Sequence, residues 1–79
     1  MASLNDRLTP GVTYRWWITV DGPIGDGRNA QGRRTGTYRV PNGKAPTNGD
    51  VMERLRLKYA RELGIPDHAA VVLDFRIAR

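Results

Sequence analysis

The sequence contains no cysteine, a single histidine and no long apolar run, and each of these absences excludes a class of protein. Without cysteine the chain cannot form a disulfide scaffold, a cysteine-based zinc site or a thiol nucleophile. The single histidine, His68, excludes a histidine-rich metal site, and its position beside Asp67 indicates a turn residue. The longest apolar stretch, Ala69–Leu73, is far shorter than the roughly 18 residues that span a membrane.

The rest of the composition is that of one small basic domain. The chain has 79 residues, with 13 Lys+Arg against 8 Asp+Glu and a net charge of +5. Met1–Thr9 is charged and lacks an apolar run, so we expect no secretory signal and a soluble, cytoplasmic protein with no membrane partner. We divide the chain into a polar lead-in segment, residues 1–11, and one domain over residues 12–79.

Three segments have the alternating pattern of β-strands. Val12–Val20 alternates apolar with polar residues, Thr37–Val40 resumes the alternation, and Ala70–Ala78 closes the chain. Asp21–Gly36, between the first two, is rich in glycine and arginine, which predicts a long flexible loop. In the last strand one parity is apolar and is assigned to the core: Val71, Leu73, Phe75 and Ile77.

A helix is predicted from Thr47 to about Leu63. Thr47 and Asp50 have the spacing of a capping box, and Gly64 suits the left-handed cap that ends a helix. Apolar residues recur every four positions and form one stripe: Val51, Leu55, Tyr59 and Leu63.

The order of these elements predicts an α+β fold, a single small ββαβ domain. One helix with one apolar stripe can be buried on one face of a three-stranded sheet. We expect the strand order 2-1-3, because order 1-2-3 would leave Val12–Val20 as a long exposed edge. The first and third strands are then expected to be parallel, through a right-handed crossover, in a mixed sheet with a β-grasp-like layout.

The sheet face opposite the helix is the main candidate for a function. It is expected to carry Thr13, Arg15, Trp17, Thr19, Thr37, Arg39, Val72, Asp74 and Arg76. Aromatic and basic groups on an open sheet are what platforms for single-stranded nucleic acid use. The candidate binding residues are Arg15, Trp17, Arg39 and Arg76 on the sheet, with Arg28, Arg33 and Arg34 of the loop as phosphate contacts.

Trp17 leaves three interpretations open. Leu4 and Leu8 of the lead-in segment could cover it, a second copy or another protein could cover it, or it could stack on nucleic acid. Our first hypothesis is a small non-enzymatic binding domain for DNA or RNA. The alternative is a module for protein–protein interaction or homodimerisation, through this face or through the edge of the third strand.

No motif predicts an enzyme, a cofactor, a metal site or a small-molecule substrate. The glycine-rich segment lacks the Gly-Lys-Ser/Thr of a phosphate loop and leads into a strand instead of a helix. The carboxylates are scattered, and no pair has the spacing of an acid–base couple or a metal site. We therefore assign no catalytic residue and no metal ligand.

One arrangement resembles a known family. The order strand, arginine-containing glycine segment, strand and helix, from Tyr14 to Leu63 with Arg33-Arg34, is similar to the arm-type DNA-binding domains of phage-like integrases. The resemblance implies a short sheet that lies in the major groove with a helix behind it. Those domains place their third strand before the helix, whereas Ala70–Ala78 follows it here. No specific motif is shared, so no residue roles are carried over.

Overall fold

The computed structural model describes residues 3–79, which form a three-stranded sheet with one α-helix. The strands are β1 (Thr13–Gly25), β2 (Arg28–Arg39) and β3 (Val71–Ala78), and helix α1 spans Asn48–Leu63. A short 3₁₀ turn, Asp67–Ala69, leads into β3. The strand order is β2-β1-β3, which confirms the order expected from the sequence and places the longest strand in the centre. Within residues 3–79, no helix combines the length and apolar character needed to cross a bilayer.

The expected parallel pairing of the first and third strands is wrong, because β1 is antiparallel to both of its neighbours. The chain runs along β1 and returns along β2, and α1 then carries it back towards the end at which β2 began. β3 therefore enters the sheet in the direction of β2. Since every pair is antiparallel, the sheet is not mixed, and the β-grasp-like layout that depended on a parallel pair is not formed.

The segment predicted as a flexible loop, Asp21–Gly36, is the distal part of a long β-hairpin. β1 and β2 pair along their whole lengths, with one irregularity near the tip. Asp26 and Gly27 connect the two strands, and both have positive φ angles, 54° and 70°. A type I′ turn requires positive φ at both central residues, and Asp-Gly is a preferred pair for it. The prediction of a loop is therefore wrong, because a two-residue turn closes the hairpin.

Glycine occupies core-facing positions of this hairpin because neighbouring side chains leave no room for a Cβ. A Cβ at Gly36 would lie 2.5 Å from Cζ2 of Trp16. A Cβ at Gly22 would lie 2.5 Å from Cγ2 of Ile65 and 3.0 Å from a backbone carbonyl oxygen of the 3₁₀ turn. Gly22 and Gly36, two of the glycines that indicated a loop, are therefore close-packed positions within regular strands.

A bulge in β3 changes which of its side chains face the helix. β1 pairs with Asp74 and, one residue further along, with Val72, so Leu73 is an additional residue in the ladder. Because side chains alternate with a period of two, one extra residue reverses their assignment to the two faces. Val72 therefore packs against the core, whereas Val71 and Leu73 are 53% and 55% exposed. The sequence-based assignment of these three residues was wrong.

Helix α1 has the predicted caps and packs its apolar stripe on the sheet. Thr47 Oγ1 accepts a hydrogen bond from the Asp50 backbone N–H at 3.1 Å, and the Asp50 carboxylate accepts one from the Thr47 N–H at 3.0 Å. Gly64 ends the helix with φ 80°. Between helix and sheet, the rings of Tyr59 and Trp16 lie 5.8 Å apart. Further buried apolar residues complete this single core: Leu8, Tyr14, Ile18, Val20, Val40, Val51, Leu55 and Ile65.

The described part of the lead-in segment, from residue 3 onwards, packs beside the N-terminus of α1. The Leu8 N–H donates to the Pro46 carbonyl at 3.0 Å, and the Gly49 N–H donates to the Leu4 carbonyl at 2.8 Å. Leu8 is buried in the core on the helix side of the sheet, and Leu4 is 49% exposed. The interpretation in which these two leucines cover Trp17 is therefore wrong.

Candidate binding face of the sheet

One face of the sheet packs against α1, and no element of residues 3–79 covers the other, which we call the open face. Side chains reach it from alternate positions of each strand. The strand register places these residues on it: Thr13, Arg15, Trp17, Thr19 and Asp21 of β1; Gln31, Arg33, Thr35, Thr37 and Arg39 of β2; and Val71, Asp74, Arg76 and Ala78 of β3.

Trp17 lies at the centre of the open face. Its register neighbours are Thr35 on β2 and Arg76 on β3. The indole is half-buried between them, and the guanidinium carbon of Arg76 lies 5.8 Å from the ring centroid. This distance allows a cation–π interaction. The open face therefore presents an aromatic ring and a cation side by side.

Five of the seven predicted binding residues lie together on the open face: Arg15, Trp17, Arg33, Arg39 and Arg76. Arg33 was expected in a loop, but it is a strand residue opposite Thr19. Arg28 follows the hairpin turn, five positions along β2 from Arg33, or roughly 17 Å at the rise of an extended strand. It belongs to the tip of the hairpin and not to the cluster around Trp17.

Arg34 points to the helix side of the sheet. Its Nε lies 3.6 Å from Oε1 of Glu62, and its guanidinium carbon lies 5.6 Å from the ring centroid of Tyr59. Arg33 and Arg34, which were both predicted as phosphate contacts of the loop, therefore lie on opposite faces of the sheet, because adjacent residues of a strand point to opposite faces.

The positive charge of the open face is poorly compensated. On the helix side, three arginines each contact a carboxylate: Arg34, Arg56 and Arg61. On the open face, Arg76 approaches Asp74 only at 3.9 Å, with both side chains more than half exposed. Its remaining arginines form no ion pair within residues 3–79: Arg15, Arg33 and Arg39. The folded chain therefore leaves these guanidiniums available for an external anion.

A shallow depression of about 290 Å³ lies beside Trp17, lined by Thr13, Tyr14, Arg15, Trp17, Thr37 and Arg79. Arg79 donates a hydrogen bond to Thr9 Oγ1 at 2.9 Å, and its guanidinium carbon lies 5.9 Å from the ring centroid of Tyr14. Hydrogen bonding with Thr9 lowers the pKa of Tyr14, and Arg79 adds to this effect. The sequence-based prediction did not include Arg79, because it follows the last alternating residues of the third strand.

A second depression, of about 220 Å³, lies between β2 and α1. Trp16, Tyr38, Val51 and Leu55 give it an apolar lining, and Arg54 and Lys58 add two cations. No pattern along the chain relates these two basic residues of the helix to Tyr38 on a strand.

The described residues offer no obvious metal centre. Within residues 3–79, no three histidine, aspartate or glutamate side chains come together in a group that could hold a metal ion. His68 is exposed in the 3₁₀ turn.

The open face can contact a flat ring through Trp17, an anion through its arginines and a polar edge through its threonine hydroxyls. Comparisons with protein-family models, with curated proteins and with solved structures find no match for this chain. Fold and site therefore define a class only, that of small α+β domains with an open antiparallel sheet.

Proposed function

We propose that this protein is a non-enzymatic binding domain whose open face holds single-stranded nucleic acid. The observation that carries the proposal is the cluster of four arginines around one half-buried tryptophan on an uncovered sheet face. An indole stacks on the face of any base, and guanidiniums hold phosphates. The threonines between the arginines supply donors and acceptors for sugars and base edges.

A single strand is favoured over a duplex because stacking on Trp17 needs a base with an exposed face, which a paired helix does not offer. The cations of the open face also lie on both sides of the ring: Arg15 and Arg76 flank it closely, and Arg33 and Arg39 follow the outer strand. A single-stranded nucleic acid with one base stacked on Trp17 can therefore contact a guanidinium on either side of that base.

The salt dependence of binding gives a quantitative test. Four phosphate contacts to a single strand predict a slope of about −2.8 in log K against log salt, or a loss of roughly 50-fold between about 50 and 200 mM. The test measures the fluorescence anisotropy of a labelled dT oligonucleotide as the protein is added at each salt concentration. An rU oligonucleotide and a DNA duplex of the same length are measured in the same way. No salt-dependent binding of any of the three would contradict the proposal. Preference for the duplex would contradict the stacking argument.

Matched variants separate the open face from general charge. Arg33→Gln with Arg39→Gln removes two positive charges from the open face, and we expect the slope to fall by about 1.4. Arg34→Gln with Arg54→Gln removes the same charge from the helix side and is expected to leave the slope unchanged. An equal effect of both double variants would show that binding follows net charge and not this face.

The indole of Trp17 provides a second readout. Trp17→Leu is expected to weaken binding by roughly 5- to 150-fold through the loss of stacking. In the wild type, the Trp17 indole NMR signal should move on titration, while that of Trp16, which is 6% exposed, stays in place as an internal control. Movement of both signals would indicate a conformational change instead of local stacking.

A further inference from the structure

The outer edge of β3 differs from the outer edge of β2 in the charges that it carries. Both strands are edges of the sheet within residues 3–79. β2 carries Arg28, Arg33, Arg34 and Arg39 and no carboxylate, so a second basic strand beside it would meet repulsion. β3 carries one residue of each sign, Asp74 and Arg76, on the same face.

We propose that two copies of this chain pair antiparallel through the edges of their β3 strands, about a two-fold axis at Phe75. In this register Asp74 of each copy lies opposite Arg76 of the other, so two oppositely charged pairs form across the seam. Directly opposed unlike charges stabilise an antiparallel pair, and opposed like charges destabilise it. β3 is thus self-complementary, which the other edge of the sheet is not.

Neighbouring registers with the same orientation lose this complementarity. A register shifted by two residues in one direction places Asp74 opposite Asp74, and in the other direction it places Arg76 opposite Arg76. A shift by one residue turns the second copy over, so that its helix would lie on the open side of the first. The register at Phe75 is therefore the one that pairs the charges and keeps both helices on one side.

The same register also extends the apolar core. Phe75 and Ile77 point to the helix side but remain half-buried, because no described element covers the sheet beyond β3. Across the seam Phe75 meets its own counterpart, and Ile77 of each copy lies diagonal to Phe75 of the other. Aromatic and aliphatic cross-strand pairs of this kind contribute to sheet stability.

The dimer would contain a continuous six-stranded sheet with both open faces on the same side. The two Trp17 residues would be separated by three inter-strand spacings across the sheet and by two residues along it, or roughly 16 Å. A single strand could then cross from one arginine cluster to the other. This consequence rests on the proposed function, whereas the seam itself rests on β3 alone.

The experiment measures mass in the absence of nucleic acid. Sedimentation equilibrium of the full chain should give twice the 8.9 kDa of one chain, and a single-chain mass at all concentrations would overturn the proposal. Asp74→Arg or Arg76→Asp alone places like charges opposite each other twice, so we expect dimer dissociation to rise by roughly 30-fold.

Two further samples test the register. Asp74→Arg combined with Arg76→Asp restores both charge pairs and should restore the dimer. An equimolar mixture of the two single variants should form a heterodimer, because every seam pair then joins opposite charges. If the single reversals leave the dimer mass unchanged, or if neither sample recovers it, the Phe75 register is refuted. Binding of oligonucleotides by a strict monomer would refute the seam and leave the proposed function standing.

Discussion

The glycines of the hairpin allow a direct test of whether Asp21–Gly36 is packed strand or flexible loop. The perturbation is a single methyl group, introduced as Gly22→Ala or Gly36→Ala. In each case the new Cβ would come within 2.5 Å of a side-chain carbon, of Ile65 at position 22 and of Trp16 at position 36. Both neighbours belong to the core and cannot move away freely, since Ile65 is 3% and Trp16 is 6% exposed.

The expected decrease in the free energy of unfolding can be compared with the total folding free energy of the domain. Overpacking of this kind costs about 1–3 kcal/mol. A chain of this length has about 4–12 kcal/mol of folding free energy, so each variant removes a substantial part of it. The corresponding decrease in Tm is about 4–8 °C for each kcal/mol. Gly43→Ala is the matched control, because a Cβ there meets nothing within 4 Å. It should be neutral or stabilising by about 0.4–1 kcal/mol through the unfolded state.

The assay is denaturation by guanidinium chloride, followed by circular dichroism and by tryptophan fluorescence. The midpoint should fall for Gly22→Ala and Gly36→Ala with an unchanged m value, and it should stay level or rise for Gly43→Ala. If Asp21–Gly36 were a flexible loop, all three substitutions would leave the denaturation midpoint unchanged or raise it, as the control does. Midpoints at or above wild type for Gly22→Ala and Gly36→Ala would therefore refute the packed hairpin, as would rapid amide exchange from Asp21 to Gly36.

Three further predictions concern local interactions. Tyr14→Phe removes the acceptor of the Thr9 N–H and should cost about 0.5–1.5 kcal/mol in a denaturation experiment; in the wild type, absorbance at high pH should show Tyr14 ionising below 10.0. Hydrogen bonds at the helix N-cap lower the pKa of Asp50 below 3.8, so its stabilising contribution is present above that pH and is lost as the pH falls through the folded pKa. Asp50→Asn should therefore reduce the decrease in unfolding free energy on acidification below pH 3.8. An unchanged decrease would contradict the stabilising role of the Asp50 carboxylate at the cap. Arg56 donates to the backbone carbonyl of Asp67, the first residue of the 3₁₀ turn, at 2.6 Å and to that of Ala70, just after the turn, at 3.0 Å. Arg56→Met should therefore cost about 1–3 kcal/mol and increase amide exchange in the turn.

The elements that could be predicted are those whose signals are local. The alternation of Val12–Val20 places the central strand, and the caps at Thr47, Asp50 and Gly64 place the helix. Each signal depends on residues a few positions apart, so the sequence alone contains it. The order of the strands also followed, because it needs only the rule that a long apolar strand avoids the edge.

The distal hairpin could not be predicted because its core-facing positions carry little apolar side chain. Glycine stands at positions 22, 32 and 36, and Arg34 stands between the last two. A strand with glycine facing the core gives no apolar alternation, although the close approach of Trp16 is what requires glycine at position 36. The reason for the residue thus lies in a contact between residues 20 positions apart, and pattern reading does not detect such a contact.

The same limit applies to the candidate site. Arg15 and Trp17 could be placed on one face because they lie in a regular strand, and Arg39 and Arg76 followed from the strands on either side. Separating Arg33 from Arg34 required the register of β2, which was hidden in the glycine-rich segment. In β3 the bulge at Leu73 exchanged the faces of Val71 and Val72, although neither local propensity nor composition marks its position.

Arg76 connects the two proposals, and the charge-swapped chain can separate them. In the wild type it stands beside Trp17 and, in the proposed dimer, opposite Asp74 of the second copy. Asp74→Arg with Arg76→Asp keeps the net charge and both seam pairs but places a carboxylate next to the indole. We therefore expect an intact dimer whose affinity for single-stranded oligonucleotides is lower than that of the wild type. Wild-type affinity in that dimer would show that the cation beside Trp17 plays no part in binding, whatever holds the two chains together.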